Sequence, residues 1–205
     1  MELKLLDFAR LRSRPMAPAP MVFPGPSQVR AYWEALRTPA AIPDRKSLDP
    51  RGLAGVLDRV FLADRIGRGL VQVRIAGSGL SEVAGMDLRG LPLSCLFAPE
   101  ARPDLAEVVE AVSGGTLAAE LDLASDRGNG QPVARLLLLP LADGPGRRVV
   151  LGCLGSTGLP LRSKFQILRR IEEHLVFAPR PAAAPLPQPT LRRHGHLTLV
   201  HSLPE

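Results

Sequence analysis

The run Ala134-Arg-Leu-Leu-Leu-Leu-Pro-Leu141 constrains this chain more than any other stretch. Successive strand residues point to opposite faces, so a strand with one wet face alternates apolar and polar side chains. This run is apolar throughout apart from Arg135. It predicts a central strand, within 132–141, covered on both faces.

The remaining elements can be placed around it. Apolar runs at Val60–Ala63 and Leu70–Ile75, joined by Gly67-Arg-Gly69, predict strands over 59–64 and 70–76. Strands over 117–124 and 147–155 are joined to the central one by Gly128-Asn-Gly130 and Asp143-Gly-Pro-Gly146. Ser27 is placed to cap a helix to about Arg37, with Val29, Trp33 and Leu36 on one face and Pro39 and Pro43 ending it. Asp49 can cap a short helix with Pro50 at its first position and Leu53, Val56 and Leu57 buried. Helices follow at 79–84 and Pro103–Val112, the latter apolar at Leu105, Val108, Val109 and Val112 and ended by Gly114-Gly115. A last helix is expected over 163–177, from the stripe Phe165, Leu168, Ile171 and Leu175.

Two strands, a cluster of helices and a three-strand meander predict an α+β fold. It has a five-stranded antiparallel sheet with helices on one face, plus N-terminal and C-terminal helices. The expected organisation is a flexible Pro-rich segment (1–26), a helical cap (27–57), the sheet domain (58–157), the 163–177 helix and a Pro-rich tail (178–205). Within that tail, Leu197-Thr-Leu-Val200 is a possible strand in need of a partner.

A net charge of +6 suggests nucleic acid, but its distribution argues otherwise. Residues 31–160 carry fourteen Lys/Arg and fifteen acids, so the excess sits at the two ends. No basic run is interleaved with aromatics for base stacking. No apolar run approaches the ~20 residues that cross a bilayer, and the first residues make a poor signal peptide. A cytoplasmic location without membrane contact is expected. Cys95 and Cys153 lie in apolar surroundings and are read as plain thiols.

The opening motifs supply a resemblance. They are Tyr32-Trp33-Glu34, Leu36-Arg37, Pro43-x-Arg45, Asp49-Pro50, Leu53, Leu57 and Val60-Phe-Leu62. Arg74-Ile-Ala-Gly77-Ser78, Leu80, Gly85-x-Asp87-Leu-x-Gly90 and Leu139-Pro140-Leu141 complete the set. In this order they resemble the PAS domain, and closely the compact bacterial PAS-like proteins common in alphaproteobacteria, over about 29–156. The resemblance implies a non-catalytic sensory or regulatory module that acts through protein association. Such domains hold a small ligand, or none, between sheet and helices, and often dimerise through the helix before the first strand. The expected partner is another protein or a second copy of the chain, with gating by a small ligand. Two other readings stand beside it: a receptor whose Arg74 or Arg45 reads an anionic metabolite, and a nucleic-acid-associated protein using the basic termini.

Each candidate residue has a structural and a functional reading. Trp33, with Val29 and Leu36, either packs on the sheet or anchors an interface; Tyr32 faces elsewhere and can hydrogen-bond the following loop. Arg45 and Asp49 pin their loop as an ion pair or cap, or else Arg45 reaches a ligand carboxylate as a bidentate donor. Strand alternation sets Arg74 and Gln72 opposite Val71, Val73 and Ile75, with Asp87 and Glu82 as partners if Arg74 is half-buried; the alternative is a ligand carboxylate.

No cofactor is expected. Haem lacks its axial ligand, since His174, His194, His196 and His201 lie beyond the expected sheet. Cys95 matches the reactive cysteine of flavin photosensors in position, but the later strands lack the amide side chains that flavin needs. No metal-ligand spacing is present. Gly77-Ser78-Gly79 is no nucleophile elbow and Gly85-x-x-x-x-Gly90 is no phosphate loop, so no enzyme is expected.

Overall fold

In a computed structural model of the chain, the structure describes residues 22–126, 130–156 and 164–177, and the backbone of 192–194 and 197–199. Strands β1 (Val60–Gly67) and β2 (Leu70–Ala76) form a hairpin, and β3 (Leu117–Ser125), β4 (Ala134–Ala142) and β5 (Arg148–Ser156) a meander. A further strand, β6 (Phe165–His174), pairs with β3. The antiparallel sheet runs β2-β1-β5-β4-β3-β6, six strands where five were expected. The Leu197 run does find a partner: β7 (Arg192–His194) and β8 (Leu197–Leu199) pair in a separate sheet.

The fold is α+β, and β4 is central and buried as its sequence requires. Leu136 and Leu138 face α2 (Ser78–Ala84) and α3 (Arg102–Ser113), in a core with Leu80, Leu105, Val109 and Phe61. Leu137, Leu139 and Leu141 point the other way, into a second core with Val29 and Trp33 of α1 (Pro26–Leu36) and with Leu53 and Val56. The N-terminal helix therefore covers the sheet face opposite α2 and α3.

The 163–177 helix is overturned: Phe165–His174 is a strand. Phe165 is buried, but Leu168 and Ile171, two of the four residues in the proposed stripe, are 44% and 40% exposed. Pairing with the open edge of β3 outweighs a helix whose apolar stripe has nothing to cover it. His174 consequently ends a strand of the sheet rather than lying beyond it.

Nor is the whole 1–26 segment loose. Phe23 is buried, and a Cβ on Gly155 would lie 2.5 Å from the Pro24 carbonyl oxygen, so 22–26 packs against β5. Ser27 does not cap α1; Pro26 opens it, its missing amide donor costing nothing at that position. The short helix after Asp49 is a 3₁₀ turn, Pro50–Leu53, with Leu53 and Val56 buried but Leu57 exposed. The expectations for 1–21 and 178–191 lie outside the described residues.

Candidate functional site

Val29 and Trp33 stand one helical turn apart and both are fully buried against β4 and β5. The indole N–H donates to the Pro140 carbonyl at 2.9 Å. Pro140 lies just beyond the last β3–β4 pair, Ala119 with Leu138, where a missing amide donor interrupts no rung of that ladder. The guanidinium carbons of Arg30 and Arg37 each lie 5.7 Å from the Trp33 ring centre. Both arginines also pair with Glu34 and with Glu173 of β6, tying α1 to the sheet edge. Trp33 and Val29 are thus packing residues, with no surface left for a partner; Leu36 is half-buried.

Tyr32 leaves the other side of α1 and holds the loop, as its position suggested. Its hydroxyl accepts from the Asp49 amide at 2.7 Å and donates to the Asp49 carbonyl at 3.2 Å. The ring lies against Gly52, where a Cβ would come within 2.2 Å of it. Asp49 uses its carboxylate to cap the 3₁₀ turn, accepting from the Arg51 amide at 2.9 Å, and it does not pair with Arg45. Tyr32→Phe removes both hydroxyl contacts at a partly wet site, so a loss of about 1 kcal/mol is expected by urea denaturation.

Arg45 and Arg74, twenty-nine residues apart in the chain, belong to one network. Arg74 donates to Asp64 at 3.1 Å, and the same carboxylate oxygen takes Arg147 at 3.0 Å. Arg147 also reaches Asp143 at 3.3 Å, and Asp143 takes Arg45 at 3.4 Å. The expected partners of Arg74 are not used: Arg89 clasps Asp87 and holds its carboxyl down to about 2. The reason is a bulge. Leu62 pairs with Ile75 but Ala63 with Val73, so Arg74 is the unpaired residue. Beyond the bulge Ile75 turns outward, 52% exposed, instead of joining Val71 and Val73 inside.

Arg74 lines a cleft of about 570 Å³ with Asp64, Arg65, Glu110, Arg147 and Arg148. Arg65 forms a two-bond fork with Glu110, which also accepts from the Gly69 amide at 2.7 Å. That amide, then Arg65, holds the Glu110 carboxyl below its ordinary range. Four arginines against two acids leave the cleft positive, and Arg148 has no acid within 4.0 Å among the described residues. Arg45 lies elsewhere, at the rim of an apolar groove of about 360 Å³ lined by Leu53, Leu57, Ile75 and Leu151. Asp64, Asp143 and Arg147 were missed in the sequence. The adjacent arginines after the Asp143 turn, and an acid closing the apolar run of β1, were the available signals.

The space between the sheet and α2 and α3 is occupied by Phe61, Phe97, Phe165, Leu80, Leu88 and Leu93, each under 2% exposed. Cys153 is buried in the opposite core and Cys95 is half-buried; both are free thiols. Burial pushes the Cys153 thiol from its ordinary 9.0 up to about 12. Its protonated form thus favours the folded state, a contribution full below about pH 9 and lost as pH rises towards 12. Alkylation at pH 8 should spare Cys153 until denaturant is added; native-state labelling equal to that of the unfolded chain would refute this burial.

Among the described residues no cluster of three or more potential metal ligands occurs, and no helix is long and apolar enough to cross a membrane. No curated protein matches the chain. A family model described as the PAS domain matches residues 21–155, from the segment ahead of α1 to the end of β5, well over half of the sequence. With the sheet and helices arranged as above, the chain belongs to the PAS domain family.

Proposed function

We propose that this chain is a non-catalytic PAS regulatory module that acts through association with a protein, its own copy included. Family membership supports a sensory or regulatory role in general terms. The observation that carries the association reading is the filling of the sheet–helix space by Phe61, Phe97, Phe165, Leu88 and their neighbours. Contacts to a partner then fall to the surface, where Leu57, Ile75, Leu168 and Ile171 are exposed. Native mass spectrometry of freshly purified protein tests this. Association predicts complexes with a second polypeptide; a monomer holding one small molecule tightly overturns it.

A second reading has an observation of its own. The cleft lined by Arg65, Arg74, Arg147 and Arg148 carries more positive than negative charge, which suits an anionic ligand. Arg74 would then read the anion, while Arg45 acts at a distance by holding Asp143. A carboxylate or phosphate metabolite that binds there raises the melting temperature with its concentration, and Arg148→Ala abolishes that rise.

A further inference from the structure

Strand β6 forms an edge of the six-stranded sheet. From Gln166 to His174 this strand has a neighbour on one side only among the described residues, since β6 ends the sheet order. Among the described residues its outer side is engaged at the start alone, where Phe97 bridges to Phe165 and the Ala98 amide donates to the Phe165 carbonyl at 2.9 Å. A row of unpaired N–H and C=O groups recruits another strand unless something prevents it. Like charges along an edge prevent it by repulsion. Here the order is Arg169-Arg170-Ile171-Glu172-Glu173, basic and then acidic about a central isoleucine.

We propose that β6 pairs antiparallel with β6 of a second copy of this chain, about a two-fold axis through Ile171. This rests on the association reading above and names the partner. In that alignment Arg169 faces Glu173 of the other copy and Arg170 faces Glu172, with the symmetry mates repeating both pairs. Ile171, 40% exposed on its own, packs on its counterpart. The faces agree as well. Arg169 and Glu173 lie on the α1 side, contacting Asp122 and Arg30, while Arg170 lies on the α3 side against Glu107. Opposed residues in an antiparallel pair share a face. Moving the axis by one residue either way sets Arg170 against Arg170 or Glu172 against Glu172, so charge selects this register. The existing contacts can persist, because a carboxylate accepts at several lone pairs and a guanidinium donates five N–H groups. The product is one continuous sheet across both copies, of the closed two-fold kind.

Sedimentation velocity of the full chain over a concentration series at low salt tests this. The expected result is a rise from the 22.0 kDa chain mass to twice that value, diminished by salt. Arg169→Glu with Arg170→Glu should weaken the dimer by about tenfold or more, as should Glu172→Arg with Glu173→Arg. An equimolar mixture of the two variants should restore it, because every opposed pair is again of opposite sign. Where the charge variants fail to fold, Ile171→Cys decides: an interchain disulfide on mild oxidation supports the pairing, since Cα atoms facing each other across strands lie within disulfide reach, and its absence overturns it. A dimer indifferent to charge reversal, or variants whose mixture stays monomeric, overturns the β6 interface. A chain that stays monomeric yet binds another polypeptide overturns self-pairing and leaves the association reading standing. A monomer carrying a tightly held small molecule overturns both.

Discussion

Trp33→Ala is expected to cost about 4 kcal/mol of unfolding free energy, within the range for deleting a buried Trp or Phe. Two effects add. The ring is fully buried between α1 and strands β4 and β5, so its loss leaves a cavity that Leu137, Leu139 and Val149 cannot close without backbone movement. The Pro140 carbonyl also loses the indole donor, and weakening the hydrogen bonding of a buried acceptor carries its own penalty. For a chain of this size the melting temperature should fall by roughly 8–16 °C. Trp33→Phe keeps most of the ring but not the donor and should cost less than half as much. A Trp33→Ala protein that melts normally and fails only in association would reassign Trp33 to an interface, against its complete burial.

Gly77→Ala should be comparably severe for a different reason. A methyl group at Gly77 would lie 2.2 Å from the Leu57 carbonyl oxygen, with the Asp58 carbonyl at 2.3 and 2.4 Å. All three are backbone atoms, so no rotamer change relieves the clash. The Gly77 amide meanwhile donates to the Val60 carbonyl at 2.9 Å, which holds the chain in place. Overpacking typically costs about 1–3 kcal/mol, and a backbone clash belongs at or beyond the upper end. Gly67→Ala is the control: only Leu70 Cβ lies within 4 Å, at 3.9 Å, and near-neutrality is expected by the same denaturation assay. Equal losses for the two variants would show that close approach is not what Gly77 provides.

The sequence disclosed those parts of the molecule that one-dimensional patterns can express. The leucine run of β4 implied two covered faces, and Val29 with Trp33 marked the face of α1 that packs. Tyr32 and Asp49 were legible as a helix-to-loop tie because both ends of it are local. What could not be read depends on neighbours. The partner of Arg74 follows from a bulge between β1 and β2, which no alternation pattern encodes. Strand β6 was hidden because Phe165, Leu168, Ile171 and Leu175 fit a helical stripe, while its strand state depends on the unfilled edge of β3 and on Asp122. That carboxylate, buried on β3, takes Arg169 at 2.9 Å and Arg135 at 2.7 Å. The same contact explains why the one charge in the apolar run of β4 is tolerated.

A strand greasy on both sides has a weakness during folding: burial cannot check its alignment. Slide the four leucines at 136–139 by one position and each core still receives leucine. Fidelity must come from the few places where residues are not interchangeable. Arg135 finds Asp122 and Glu120 only in the native pairing. Pro140 can stand only where no amide is wanted. On β5, Gly152 leaves the flat floor on which the Phe61 ring lies, 2.0 Å from where any Cβ would be. Most of the central sheet supplies cohesion, and Arg135, Pro140 and Gly152 act as its proofreading marks.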